Sequence, residues 1–583
     1  MNSTSVSGKN WILKKFNNVD IEEFKKDFYL DEITAKLLAI RKVPKSDVQT
    51  FLEPSIKNVL PNPFELKDMD VTVNRVSDVI KKKEKIGIFG DYDVDGATST
   101  AILGQYFKLL DHPFEIYIPD RKSEGYGPSI SSFNKLIEKG VKLIFTVDCG
   151  TLSFDPIKFA EEKDVDVIVI DHHQSITDLP KAFSIVNPNR FDDKSNLNYL
   201  CASGVSFMFL VALNKKLREI TWFKNNSIIE PNLINFLDLV SLGTVCDVVP
   251  LIGLNRAFVK QGLKVLKNKK NLGLKTLFEI CKIENNPTPY HLGFVLGPRI
   301  NAGGRVGKCS HGANLLLNNS PKETFKIASE LENYNKERKI LESELLNKIL
   351  SDNYNKTQDP VVILHGENWH EGVIGIIASR IKEKFNKPSI IISVNKDIGK
   401  GSARSILGFD IGSIIIHAVE KKILLKGGGH KMAGGFSIEM KKINQFKEFI
   451  FKRFNSINVN LNTNSNYYFD SEISPSALNI NFFEKVNLLA PFGSGNTEPR
   501  FIINNLKVLN SKIVGEKHIK SILLGSDSST VKTISFNSVE SNLGSYLLKK
   551  NKKTLNIAGK LSLNEWRGEK NVEFIIDDIS VNK

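Results

Sequence analysis

Between residues 85 and 174, short apolar runs alternate with amphipathic stretches, and this alternation limits the fold more than any other feature. KIGIFG, FEIYIPD, VKLIFTVDCG and VDVIVIDHH read as strands rich in β-branched residues, and GATSTAILGQYFKLL, SSFNKLIEKG and DPIKFAEEK read as helices between them. Strands without polar alternation are buried on both faces, so the pattern predicts an α/β fold whose parallel sheet is covered by helices on both sides. In such folds ligands bind outside the carboxyl ends of the strands. Asp91, Asp148 and Asp171 each stand at such an end.

The remaining chain divides by pattern. Residues 1–75 mix helix and loop and specify little, and the α/β region extends over 76–320. A charged helical stretch, residues 321–352, reads as a connecting helix. Another strand–helix–strand pattern opens at VVILHG and predicts a second, smaller α/β domain over 353–457. An Asn-rich linker follows, and short strand-like segments over 466–583 predict a small β domain, with an OB-like barrel as one candidate. There Lys517, Trp566 and Arg567 are candidates for contacts to a single strand.

The chemistry concentrates in GDYDVDG (90–96). Three carboxylates so close together repel one another unless a cation compensates. DxDxDG also opens an EF-hand loop, but Ile102 stands where that loop needs a bidentate Glu, so the EF-hand reading fails. A bland alternative is that these residues only cap the next helix. That alternative weakens once the other acidic points are added: Asp148 in TVDCGT, Asp171-His172-His173 in VIVIDHHQ, and Asp247 within the apolar LVSLGTVCDVVPL. Cys149 and Cys246 lie beside these points and read as small buried residues rather than nucleophiles. In WHEGV, Ile374 stands where a zincin would have its second His, which excludes that site.

The order DxD, VDCGT, DHH and a later Asp resembles the DHH phosphoesterase family, and GSARS (401–405) with GGGHKMAGGFSI (427–438) resembles its associated DHHA1 domain. PDRKSEGYG, GPRINAGGRVG, WHEGVIGIIASR and LLAPFGSGNTEPRF point within the family to its branch of 5′→3′ single-stranded-DNA exonucleases. The resemblance implies two divalent ions, Mn²⁺ or Mg²⁺, about 3.5–4 Å apart, and in-line attack by a hydroxide between them. It implies Asp91, Asp93 and Asp148 at one ion and Asp95, Asp148, His172 and Asp247 at the other, with Asp148 bridging. His173 would contact the scissile phosphate, and Asp171 would orient the histidines. Arg121, Arg299, Arg305, Ser402, Arg404 and His430 would hold DNA phosphates, the last on a glycine-rich anion nest. Related pyrophosphatases carry a His at the position of Phe89, a departure that argues against that activity.

A net charge of +15 favours an anionic partner such as nucleic acid, and five scattered cysteines without CxxC argue against a disulfide framework or a zinc ribbon. With no signal-like leader and no long apolar run, a cytoplasmic, monomeric enzyme without a membrane partner is expected. By resemblance it trims single-stranded DNA in repair and recombination, assisted by a helicase and a single-strand-binding protein. The rival readings are a phosphodiesterase of short oligonucleotides or cyclic dinucleotides and a non-catalytic single-strand-binding scaffold.

Overall fold

The computed structural model describes residues 5–121, 123–351, 359–457, 466–549, 554–566 and 569–581. They divide into two compact units, one of residues 62–247 and 262–462, the other of 1–61, 248–261 and 463–583.

In the first unit five parallel strands lie in the order Phe114–Tyr117, Ile86–Gly90, Leu143–Val147, Asp166–Ile170 and Ser184–Val186. Ile86–Gly90 and Leu143–Val147 are buried at every residue, as expected for strands covered on both faces. The chain moves one way from the first strand and the other way thereafter, so the order reverses between Ile86–Gly90 and Leu143–Val147. That reversal is where doubly wound sheets open a crevice. Gly90, Val147, Ile170 and Val186 are in register across four neighbouring strands. The next residues, Asp91, Asp148, Asp171 and Asn187, therefore emerge at one level.

Asp93 caps the helix Val94–Leu109, its carboxylate accepting the N–H groups of Asp95 and Gly96. This helix is buried on almost every side, which its small residues Gly96, Ala97, Ser99 and Gly104 permit. Gly96 lies so close to the loop that a Cβ there would meet the Asp91 carbonyl oxygen at 2.5 Å.

The connecting helix Pro321–Ser351 has 31 residues, a length of about 46 Å at 1.5 Å per residue. Beyond it a five-stranded sheet runs in the order Lys426–His430, Ala433–Glu439, Ile398–Arg404, Ser389–Asn395, Val362–Glu367. Val362–Glu367 and Ser389–Asn395 are parallel, and the remaining pairs are antiparallel.

The second unit holds a closed barrel. Phe501–Val514 pairs with both His518–Leu524 and Leu555–Trp566, and Thr530–Ser535 lies parallel to Glu569–Val581. Closure removes the exposed edges, and the parallel pair marks the Greek-key path of an OB fold. Lys517 is exposed in the turn before the second barrel strand, Trp566 ends the fourth strand, and Arg567 lies outside the described residues. The N-terminal segment joins this unit: Asn10–Leu13 pairs in parallel with Asn466–Phe469, and Phe24, Leu37 and Leu38 share a core with Leu489, Phe501 and Ile503. Arg256 is buried there, its guanidinium donating to the carbonyls of Phe51, Leu489, Ala490 and Pro491. Four carbonyl acceptors satisfy a buried cation without a carboxylate, so the residue clasps two distant segments of the chain to its own.

Candidate metal centre

The strand ends bring the acidic residues and histidines together. His172 Nε2 lies 3.3 Å from a carboxylate oxygen of Asp148, 3.5 Å from Asp247 and 3.8 Å from Asp95. Donor atoms of Asp91, Asp93 and Asp148 form a second close group, and those of Asp148, His172 and His173 a third. Asp148 therefore joins the Asp91–Asp93 carboxylates to the histidine pair, two sets that share no other donor. Its backbone is left-handed at φ +61°, a conformation Asp tolerates better than bulkier residues.

Asp95 has a second task. Its two oxygens accept the N–H groups of Ala202 and Ser203 at 2.6 and 3.0 Å, fixing the N-terminus of the helix Ala202–Glu219. One of these oxygens also lies 3.8 Å from His172 Nε2. Gly243 keeps that space open, since a Cβ there would come within 2.6 Å of the Asp95 carboxylate.

Asp171 is saturated by hydrogen bonds. One oxygen accepts the N–H groups of His172 and His173 and the Nδ1–H of His173, the last at 2.8 Å. The other accepts from the backbone and hydroxyl of Thr151. Burial opposes its charge, yet the His173 hydrogen bond and the two histidines hold it well below the usual carboxylate range. Burial likewise opposes an imidazolium at His173, and Asp171 overcomes it, lifting this residue to about 9. Asp171 thus orients the histidine pair rather than offering a donor of its own.

The donor set fits a divalent cation. His172 Nε2 and Asp91 Oδ1 are buried without a hydrogen-bond partner among the described residues, a costly state for polar atoms. Burial and then the surrounding carboxylates raise Asp91 and Asp148 well above the ordinary carboxylate value, and lift Asp247 to about 8. In the metal-free protein these groups retain protons that an unfolded chain gives up above pH about 4. Folding stability therefore falls as pH rises from there toward 8. A cation displaces those protons. Saturating Mn²⁺ is expected to raise the melting temperature by about 5 °C or more, with a larger shift at pH 8 than at pH 6. Thermal unfolding at both pH values checks this, and equal shifts contradict it.

Burial, followed by nearby carboxylates, pushes the thiols of Cys149 and Cys246 upward, so neither is a ready nucleophile. Several participants were not singled out in the sequence. Asn187 donates to Thr151 and to the His173 carbonyl, and Asn189 donates to the His172 carbonyl. Tyr126 approaches His173 Nε2 at 3.4 Å and donates to the Asp148 carbonyl at 3.3 Å. The pair Asn187 and Asn189 follows a strand of only three residues, too short for a periodicity to reveal.

The predicted phosphate-binding residues separate. Arg121 lies over the ring of Tyr92 at 5.5 Å, beside the acidic loop. Arg305 donates to the Gly372 carbonyl, and Arg404 to Ser402 Oγ and the Ala403 carbonyl. None of the three has an ion-pair partner among the described residues. Burial, then the charges of Arg121, Arg338 and Arg404, lower Arg305 to about 10. Such a group of cations calls for an anion. Arg299 differs: its guanidinium is held by Glu332 and the Val295 carbonyl.

The glycine run is not a nest. Residues 427–430 form an edge strand, with Gly428 opposite Gly435, Gly429 opposite Gly434 and His430 opposite Ala433. Their N–H groups point alternately within the sheet plane instead of converging. The glycines serve packing, since a Cβ on Gly429 would meet the Ala433 carbonyl oxygen at 2.3 Å, and one on Gly434 would meet Ile415 at 2.5 Å. His430 is exposed, two strands from Arg404 in the same row, because Ala433 also pairs with Arg404.

A parallel sheet ending in Asp171-His172-His173, with carboxylates on the neighbouring strand ends, defines a DHH-class phosphoesterase, and the model of the DHH family's N-terminal domain matches residues 85–244. The DHHA1 domain model matches residues 358–456 and the RecJ OB domain model residues 469–578. The chain belongs to the RecJ family within that class. It is 34% identical over 542 residues to the single-stranded-DNA-specific exonuclease RecJ of Haemophilus influenzae, spanning 91% of this chain and 93% of that protein. The RecJ of Escherichia coli is 32% identical over 91% of this chain and 92% of its own. Thermus thermophilus RecJ in complex with Mn²⁺ superposes with a TM-score of 0.81 at 26% identity, covering 98% of this chain and 80% of that one. Among the described residues, no helix is long and apolar enough to cross a membrane.

Proposed function

We propose that this chain is a metal-dependent exonuclease that degrades single-stranded DNA from its 5′ end, releasing 5′-mononucleotides. The observation that carries the proposal is a buried acidic and histidine centre within the same compact unit as three arginines that have no ion-pair partner among the described residues. The names of its RecJ relatives supply the substrate class.

Asp91, Asp93 and Asp148 would hold one cation, and Asp95, Asp148, His172 and Asp247 a second, with Mn²⁺ suited to mixed carboxylate and imidazole donors and Mg²⁺ a substitute. Two such ions supply an activated water and neutralise charge on the attacking and leaving oxygens. His173, kept protonated by Asp171, donates from Nε2 to a non-bridging oxygen of the scissile phosphate. Asn187, Asn189 and Thr151 hold this histidine pair still, so little reorganisation accompanies the reaction. Arg121, Arg305 and Arg404 bind the terminal 5′-phosphate, with Ser402 steadying Arg404. The P–O3′ bond breaks, the freed 3′-oxygen takes a proton, and the phosphate stays on the shortened strand. Each cycle thus regenerates the 5′-phosphate that the arginines bind. An OB barrel is itself a single-strand-binding fold, and the setting is DNA repair and recombination, where a helicase and a single-strand-binding protein supply and cover the strand.

Product analysis tests the reading. With Mn²⁺, a 5′-phosphorylated 30-nucleotide strand is expected to yield mononucleotides from the first time points, while a blunt duplex of the same sequence stays intact. Hydrolysis confined to di- to pentanucleotides would instead indicate a short-oligonucleotide phosphodiesterase.

A further inference from the structure

Tyr290 and Phe294 are 63% and 73% exposed, and their rings stack on each other at 5.3 Å with an interplanar angle of 24°. Leu292 and Leu296 fill the core beneath this turn, so the two rings are not needed there. Phe294 lies in the π-helical turn His291–Leu296, Tyr290 immediately precedes it, and the turn runs directly into Gly297–Val306. π turns recur at functional sites.

This rod passes along the metal centre. At its start the Leu292 carbonyl accepts from Cys246 Sγ, and a Cβ on Gly297 would meet that sulfur at 2.5 Å, so this end lies against the residue preceding Asp247. Farther along, Asn301 accepts the N–H of Val94 in the acidic loop. Arg305 stands at the far end, within the arginine group. Phe294 and Arg305 are eleven residues apart, about 16 Å along a helix. The aromatic rings, the carboxylates and the arginines therefore follow one another in that order along a single element.

We infer that Tyr290 and Phe294 are a stacking platform for bases of the single strand, on the 3′ side of the scissile phosphate. The inference rests on the exonuclease reading above and adds positioning residues to it. A strand whose 5′-phosphate is held at Arg305 and whose first linkage lies at the carboxylates continues toward these rings. Every base offers a π face, so stacking holds the strand without sequence preference. Exposed aromatic rings serve this purpose because they lose little conformational freedom on contact.

The test uses the full chain without divalent metal, so that no strand is cut, and 5′-phosphorylated 12-nucleotide strands, either intact or with one abasic site placed in turn at nucleotides 2–7. Wild type is expected to bind about tenfold more weakly when the abasic site falls at one or two adjacent positions, matching a stacking loss of roughly 1–3 kcal/mol per base. The double variant Tyr290→Ala/Phe294→Ala is expected to bind the intact strand about tenfold more weakly and to ignore the abasic site. Phe294→Trp in a Tyr290→Ala background is expected to restore sensitivity to it, whereas Phe294→Leu is not. Equal abasic penalties in wild type and double variant, or no position-dependent penalty in wild type, would overturn the inference. Digestion of the intact strand by wild type with Mn²⁺ is scored separately. Its failure would sink the exonuclease reading itself, whereas digestion combined with unchanged abasic penalties would sink only the platform.

Discussion

Asp148→Ala is expected to reduce exonuclease activity by at least about 10³-fold while leaving the fold intact, because this carboxylate joins two donor groups that otherwise share no carboxylate. Several kcal/mol of charge stabilisation rest on correctly held cations, and each 1.36 kcal/mol is a factor of ten in rate. Burial and the carboxylates of Asp93, Asp95, Asp91 and Asp247 raise Asp148 far above its ordinary value. Removing it relieves repulsion, so the metal-free variant is expected to melt no lower than wild type and at a higher temperature above neutral pH. The Mn²⁺-induced stabilisation should shrink at the same time. A variant that loses activity, melts lower and keeps the full Mn²⁺ shift would show a structural role instead. Asp171→Ala is a useful contrast, because it leaves five donors on Thr151, His172 and His173 without their acceptor and should cost stability as well as rate.

Arg404→Ala is expected to lower kcat/KM about 10²-fold on a 5′-phosphorylated strand, chiefly through KM, and to leave a 5′-hydroxyl strand nearly unaffected. Hydrogen bonds to charged groups contribute about 1.5–3 kcal/mol each, and Arg404 has no carboxylate that its loss would strand. Arg404→Lys keeps the charge but not the planar fork, so it should recover only part of the loss. Steady-state kinetics on the two strands decide the matter. An equal fall on both would mean that Arg404 supports the sheet rather than the 5′-phosphate.

The centre was legible in the sequence because buried parallel strands are near-continuous apolar runs. An Asp or His at the end of such a run stands out, and Asp91, Asp148 and Asp171 are brought to one level by strand register. The barrel was legible for a related reason, since short strands with polar turns leave few other architectures. The N-terminal segment was not, because its strand partner lies more than 450 residues away and no local pattern records such a pairing. The glycine run misled because glycine serves two needs, a left-handed turn and close approach, and here residues 427–430 are extended and satisfy the second. Asp93 meets both readings at once, capping a helix and joining the acidic group. For Arg299 only the structure reveals the Glu332 partner that holds its charge. Tyr126 and Asn187 are single residues outside helices and strands, and Tyr290 and Phe294 point to solvent from a helical segment, so no apolar pattern tells what they face.

The most direct test of the central claim follows one single-stranded oligonucleotide labelled at its 3′ end, with Mn²⁺, wild type and Asp148→Ala side by side and a blunt duplex as control. A ladder of labelled fragments shortening stepwise from the 5′ end is expected, absent with the duplex and with the variant. Immediate release of labelled mononucleotide from a full-length strand would reverse the polarity and contradict a 5′→3′ exonuclease, and a ladder that Asp148→Ala leaves unchanged would contradict catalysis at this metal centre.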